Sequence, residues 1–178
     1  MRSSVKRTVI AVIAAGLASM PVPAAAAPIR FDCDALDGAN SEIAQTQDGP
    51  TYRLRTQISP KRAGKHREWR ASALILIKSA DDKAYVGVRM AATVSKPQGF
   101  SVYLETGRDG EHKQFSVTTV KLGDTVNASI DIKDGSARVE VAGQVADLAI
   151  PIGKGAVLSA SCSTGQFMFE KLEMTIGN

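Results

Sequence analysis

The stretch Phe100–Thr119, FSVYLETGRDGEHKQFSVTT, places Asp109-Gly110 between two runs in which apolar and polar residues alternate. Asp-Gly suits a two-residue hairpin turn, whose central residues both take positive φ. Such a turn pairs Leu104 with Phe115, Val102 with Val117 and Phe100 with Thr119 on one face. On the other face it pairs Tyr103 with Ser116 and Glu105 with Gln114. The apolar and polar sets separate, as a half-buried antiparallel pair requires, and Phe100 and Phe115 are expected in the core.

Working outward, Ala128–Gly143 (ASIDIKDGSARVEVAG) repeats the device at Asp134-Gly135. Ile130 then faces Val139, Ala128 faces Val141, and Asp131 lies opposite Arg138 on the wet face, so opposite charges and apolar partners land in register together. On the N-terminal side, Trp69–Lys78 (WRASALILIK) and Lys83–Thr93 (KAYVGVRMAAT) flank a short polar turn and predict a third hairpin. Leu74–Ile77 is apolar on both faces, which places that strand centrally in its sheet. Trp69 shares parity with Ala71, Ala73, Ile75 and Ile77, and so reads as a core or rim anchor rather than a sugar platform. In Thr51–Ser59, Tyr52, Leu54, Thr56 and Ile58 alternate with Arg53, Arg55 and Gln57. Near the C-terminus, Phe167 and Phe169 are followed by Leu172 and Met174 with a change of phase, the mark of a bulge. Helical spacing is missing from all of these segments. The fold class expected is all-β, an antiparallel sandwich or barrel.

Residues 1–27 have the pattern of a secretory signal peptide. Arg2, Lys6 and Arg7 precede a short apolar run, Val9–Met20, and an Ala-rich segment that offers cleavage before Ala26 or Ala27. The run is shorter than the roughly 20 residues a membrane span needs, and no Cys sits at the cleavage region to carry a lipid anchor. Residues 28–178 are then one β-sandwich domain, periplasmic or secreted. The leader carries three of the 22 basic residues and none of the 18 acids, leaving 19 against 18 in the mature chain. Nucleic-acid binding is disfavoured by that balance. The charge is unevenly placed, however. Arg53–Arg70 holds seven Lys or Arg and the single acid Glu68, and is the best candidate for an anion-facing surface.

Two cysteines remain, Cys33 and Cys162. In an oxidising compartment such a pair most simply forms one disulfide, with two free buried thiols as the alternative. A Cys/His metal site would need more ligands than the chain has.

The closing segment Gly165–Leu172 (GQFMFEKL) and the preceding Val126–Gln144 (VNASIDIKDGSARVEVAGQ) resemble the last strands of concanavalin A-like sandwiches, laminin G-like domains among them. The resemblance implies a two-sheet jelly roll whose first and last strands lie side by side, an adjacency that a Cys33–Cys162 bridge fits. It covers the last third of the chain; elsewhere only the strand rhythm is shared.

Glucanases of that fold carry paired acids on one strand, whereas Glu105 and Glu140 have no acidic partner two residues away. The mature chain has no Gly-x-Ser-x-Gly, Ser-x-x-Lys or His-Glu-x-x-His motif. Polysaccharide lyases on similar sandwiches neutralise a uronate with Arg or Gln and move the proton with Tyr or His, as the resemblance implies. His66–Arg70 (HREWR) resembles their Arg- and Glu-bearing strand, with different spacing and no second motif. The candidate binding residues opposite the core positions are Arg53, Arg55, Gln57, Arg70, Tyr85, Arg89, Tyr103 and Gln114, with His66 and Arg67 at the head of a strand. The plainer reading of each is a solvated strand face or a mobile turn. Asp32, Asp34 and Asp37 are oxygen ligands of the kind calcium takes, though a solvated cluster is the plainer reading there too. No cofactor is expected. Asn127 heads a formal glycosylation sequon.

These features predict an exported, non-catalytic protein that recognises an anionic glycan or envelope polymer through an Arg-rich sheet face. The alternative is an envelope component that binds a protein through an apolar patch such as Leu74 and Leu76. A small lyase acting on a uronate-containing polymer is the third reading.

Overall fold

The computed structural model describes residues 27–93 and 99–177; the signal-peptide reading concerns residues outside this range. Ten antiparallel strands are described: β1 Ile29–Gln47, β2 Thr51–Ala63, β3 Ser72–Lys78, β4 Ala84–Ala92, β5 Gly99–Arg108, β6 Glu111–Lys121, β7 Val126–Lys133, β8 Ser136–Val141, β9 Gln144–Ala149 and β10 Ala156–Gly177. They pair in the order β6-β5-β4-β3-β10-β2-β7-β8-β9, with β1 along the free side of β10.

The path is continuous because β1 and β10 each serve two layers. The first half of β10, Val157 to Ser163, pairs with β3, and its second half, from Gly165 onward, pairs with β2. β1 follows it on the other side, with a register shift between Ala35 and Asn40. Buried Thr164, at φ 50°, marks the turn of β10 from one layer to the other. The front layer is therefore β6-β5-β4-β3-β10-β1 and the back layer β1-β10-β2-β7-β8-β9. Their inner faces form one core, in which the Phe100 ring of the front layer meets Phe167 of the back layer edge-on at 5.7 Å. No helix among the described residues is long and apolar enough to cross a membrane.

Both Asp-Gly turns form, with positive φ at Asp109, Gly110, Asp134 and Gly135. The second hairpin has the expected register, Ala128 to Val141, Ile130 to Val139 and Asp131 to Arg138. The first keeps Leu104 to Phe115, Tyr103 to Ser116 and Glu105 to Gln114, then shifts. A bulge between Val102 and Tyr103 pairs Val102 with Thr118 and Phe100 with Val120, correcting the two expected pairs furthest from the turn. β6 is an edge strand, so Phe115 is 50 % exposed rather than in the core. The third hairpin is β3–β4, and the β10 phase shift is a bulge between Glu170 and Glu173. Trp69 precedes β3 and is 50 % exposed, because the chain is not yet in the sheet there and strand parity does not govern it.

Cys33 and Cys162 are bonded, their Cα atoms 6.0 Å apart, where β1 and β10 lie side by side.

Candidate functional site

Strand alternation decides what each layer shows to solvent. On the front layer Leu74, Leu76, Tyr85, Arg89, Tyr103 and Gln114 point away from the core, between buried neighbours such as Ile75, Val86 and Val102. Cross-strand register arranges them in rungs. One rung runs Ser161, Leu74, Arg89, Tyr103, Ser116; the next runs Ser159, Leu76, Gly87, Glu105, Gln114; a third runs Lys78, Tyr85, Gly107, His112.

Two of these positions lack side chains, and that shapes the face. A Cβ on Gly107 would clash with the Cε1 edge of the Tyr85 ring, which lies against the strand there. Leu74 and Leu76 lean over Gly87, their Cδ1 atoms 3.2 and 3.1 Å from where its Cβ would stand. The resulting cleft, about 400 Å³, is lined by Leu74, Leu76, Tyr85, Arg89, Glu105 and His112.

Its polar groups form two linked sets. The Arg89 Nε donates to Glu105 Oε1 at 2.6 Å, and Gln114 Nε2 donates to the same oxygen at 3.1 Å. Glu105 is 4 % exposed, so this carboxylate is held inside the wall by donors that would otherwise face the ligand space. In the second set the Tyr85 hydroxyl and His112 Nδ1 stand 2.5 Å apart, with the rings stacked. Burial pushes the Tyr85 hydroxyl above its ordinary pKa; the Glu105 charge adds to the shift and Arg89 opposes it. Tyr85 is therefore a neutral phenol at neutral pH.

The sequence-derived candidates do not all meet. Tyr85, Arg89, Tyr103 and Gln114 share the front face. Arg53 and Arg55 lie on the outer face of the back layer, and both reach Asp131, at 2.5 and 3.3 Å. Gln57 bonds to Asn127 beside them. His66, Arg67 and Arg70 lie in the segment between β2 and β3, at one end of the sandwich. There Gly64, Lys65, His66, Arg67, Trp69, Arg70, Ala71, Ala92 and Thr93 line an open recess of about 570 Å³. The basic stretch Arg53–Arg70 is thus divided between a strand face and a loop. Glu105 and His112, the residues sequence reasoning did not select, owe their importance to register: Glu105 opposite Gln114 and beside Gly87, His112 opposite Gly107. The Glu105–Gln114 pairing was the available signal for one of them.

The three acids near the start of β1 do not converge. Asp34 pairs with Arg62 at 2.6 Å, Asp32 accepts from Gln166 and Asp37 accepts the Lys65 backbone N–H. No metal-holding acid, His or Cys group occurs among the described residues.

No protein-family model matches the chain, and no curated protein matches it in sequence. Solved structures do. It is similar to an alginate lyase from Alteromonas sp. 272 at TM-score 0.59 and 12 % identity, over 82 % of this chain and 86 % of that one. An alginate lyase from Corynebacterium sp. matches at 0.59 and 16 %, over 90 % and 82 %. The Caenorhabditis elegans galectin LEC-6 matches at 0.51 and 13 %, over 82 % and 95 %. The fold is a concanavalin A-like jelly roll. At these identities the likeness concerns the fold alone, and the chemistry must be argued from the side chains.

Proposed function

We propose that this protein is exported and binds an acidic glycan in the front-face cleft. The observation that carries the reading is the use of Glu105. Its buried carboxylate is spent on Arg89 and Gln114, so the groups left for a ligand are mainly donors: the Arg89 terminal nitrogens, the Tyr85–His112 pair and the free N–H of Gln114. A donor-rich cleft with Leu74 and Leu76 beneath it suits a sugar ring bearing a carboxylate, which accepts charge-assisted bonds while its apolar face packs on the leucines. The disulfide fits an oxidising compartment.

The test is electrophoresis of the protein through gels cast with acidic or neutral polysaccharides. Retardation by an acidic polymer is expected, and Arg89→Ala should weaken it about tenfold or more, the worth of a charge-assisted hydrogen bond. Arg53→Ala with Arg55→Ala should leave it unchanged, because those side chains lie on the outer face of the back layer, away from the cleft. If no acidic polymer retards the protein, or if the back-face variant abolishes retardation, the reading is wrong.

A second reading is carried by the Tyr85–His112 pair in the same cleft as Arg89. β-Elimination on a uronate needs a proton taken from C5 and one delivered to the leaving oxygen, and a phenol hydrogen-bonded to an imidazole can relay both. The products carry a conjugated double bond, so ultraviolet absorbance after incubation with the retarding polymer decides it. Growth of that absorbance, lost in His112→Ala, would make the protein a lyase; its absence leaves a binding protein.

A further inference from the structure

The end of the sandwich that bears the β2–β3 segment is built unlike the other end. At the opposite end Lys78 pairs with Asp82, Lys83 with Asp81, Arg108 with Asp109 and Lys113 with Glu111. Here Lys65, Arg67 and Arg70 are exposed and make no ion pair with any described residue, and the acids beside these three cations are Glu68 and Asp37, whose carboxylate accepts the Lys65 backbone N–H. Two exposed apolar side chains stand at the same tip: Leu36, 77 % exposed on the β1 irregularity, and Trp69.

The tip is held in shape from below. Gly64 N donates to Thr164 O at 2.8 Å, Lys65 N to Asp37 Oδ1 at 3.1 Å and Gly38 N to Thr164 Oγ1 at 3.3 Å. His66 Nδ1 accepts the backbone N–H groups of Glu68 and Trp69 at 3.3 and 3.1 Å, and its ring meets Trp69 edge-on. The backbone is bonded inward while the cations and the two apolar side chains are left outward.

We propose that this tip is a docking surface for an anionic lipid bilayer, with Trp69 and Leu36 entering the interfacial layer while Lys65, Arg67 and Arg70 meet the headgroups. Charge complementarity selects an anionic partner, and each cation near such a surface strengthens binding roughly fivefold. The exposed indole and leucine favour a bilayer over a soluble polyanion, because an indole is suited to the boundary between headgroup and acyl chain. The docked protein would stand on its end, since Ser72 is at the tip and Lys78, level with Tyr85, is about 20 Å further along β3. The front-face cleft would remain open to the side. The proposal is independent of what that cleft binds.

Trp69 is the only tryptophan in the chain, so its emission reports on the tip directly. The chain from Ala27 onward, which comprises the whole sandwich, would be floated with vesicles of phosphatidylcholine alone and with vesicles that also contain phosphatidylglycerol. Flotation with the anionic vesicles only, weakened by salt and accompanied by a blue shift of Trp69, is expected. Replacing Lys65, Arg67 and Arg70 by Ala should weaken it on the order of 100-fold; Arg53→Ala with Arg55→Ala and Arg89→Ala should not. Leu36→Ser should reduce both the flotation and the blue shift. Circular dichroism of each variant guards against misfolding. The proposal is overturned by no flotation, by flotation without a Trp69 shift (a polyanion site), or by binding that survives loss of the three cations.

Discussion

One absent methyl group shapes the cleft. Gly107 sits where the Tyr85 ring lies, so Gly107→Ala must displace that ring from His112 or bend β5. An Ala in a strand is ordinarily better than Gly, but overpacking here should cost about 1–3 kcal/mol. The denaturant midpoint should fall and polymer retardation weaken with it; an unchanged midpoint would contradict the placement of the ring. A second residue-scale expectation concerns Asp81. Its pKa is lowered first by the Ser79 hydroxyl, which donates to Oδ1 at 2.7 Å, then by the Lys83 backbone N–H and the Lys83 charge. A carboxylate with a lowered folded pKa stabilises above its unfolded value of 3.8 and loses that contribution as pH falls through the folded one. Thermal midpoints of the native protein and Asp81→Ala should therefore differ at neutral pH and converge in acid; a constant difference would refute the assignment.

At the scale of elements, β1 and β10 hold the molecule together, because each contributes half its length to each layer. The Cys33–Cys162 bond ties them across 129 residues of chain. On the chain-entropy view a loop of that size is worth about 4–5 kcal/mol. Cys33→Ser with Cys162→Ser should lower the unfolding free energy by about that much. A loss under about 1 kcal/mol would mean that the unfolded chain without the bond keeps enough residual structure to be restricted already. The hairpins were legible in sequence because a two-residue turn and period-two alternation are local: β7–β8 was readable to the residue, and β5–β6 up to its bulge. The second half of β1, Asn40–Gln47, and the edge strand β9 were not, since they carry few core residues and are defined by what they pair with.

At the scale of the whole molecule, the two layers share strands and one core, so neither can unfold alone. Near-ultraviolet and far-ultraviolet circular dichroism should report a single coincident denaturant transition. Two separated transitions would show the layers to be independent units. Pairing β1 with β10 joins the two ends of the domain, and such non-local contacts predict folding in milliseconds to seconds rather than microseconds.

The sequence by itself determined most of the strands and their inward and outward faces, the two Asp-Gly turns and the all-β class, because each depends on residues a few positions apart; β9 and the second half of β1 came from the tertiary pairing. It also singled out Tyr85, Arg89, Tyr103 and Gln114 as outward-facing polar residues. Only the tertiary structure decided which of them meet. Asp131 lies opposite Arg138 in its hairpin, as read, yet its carboxylate is taken by Arg53 and Arg55 from β2, while Arg138 turns to Asp147. Arg89 and Arg53 have the same local signature, a basic residue on an alternating strand. One lies beside a buried glutamate in a cleft and the other on the opposite outer face, because β10 gives its first half to β3 and its second to β2. That choice rests on pairings from 79 (Val157 with Lys78) to 126 (Gly177 with Thr51) residues apart in the chain, which no window of sequence contains.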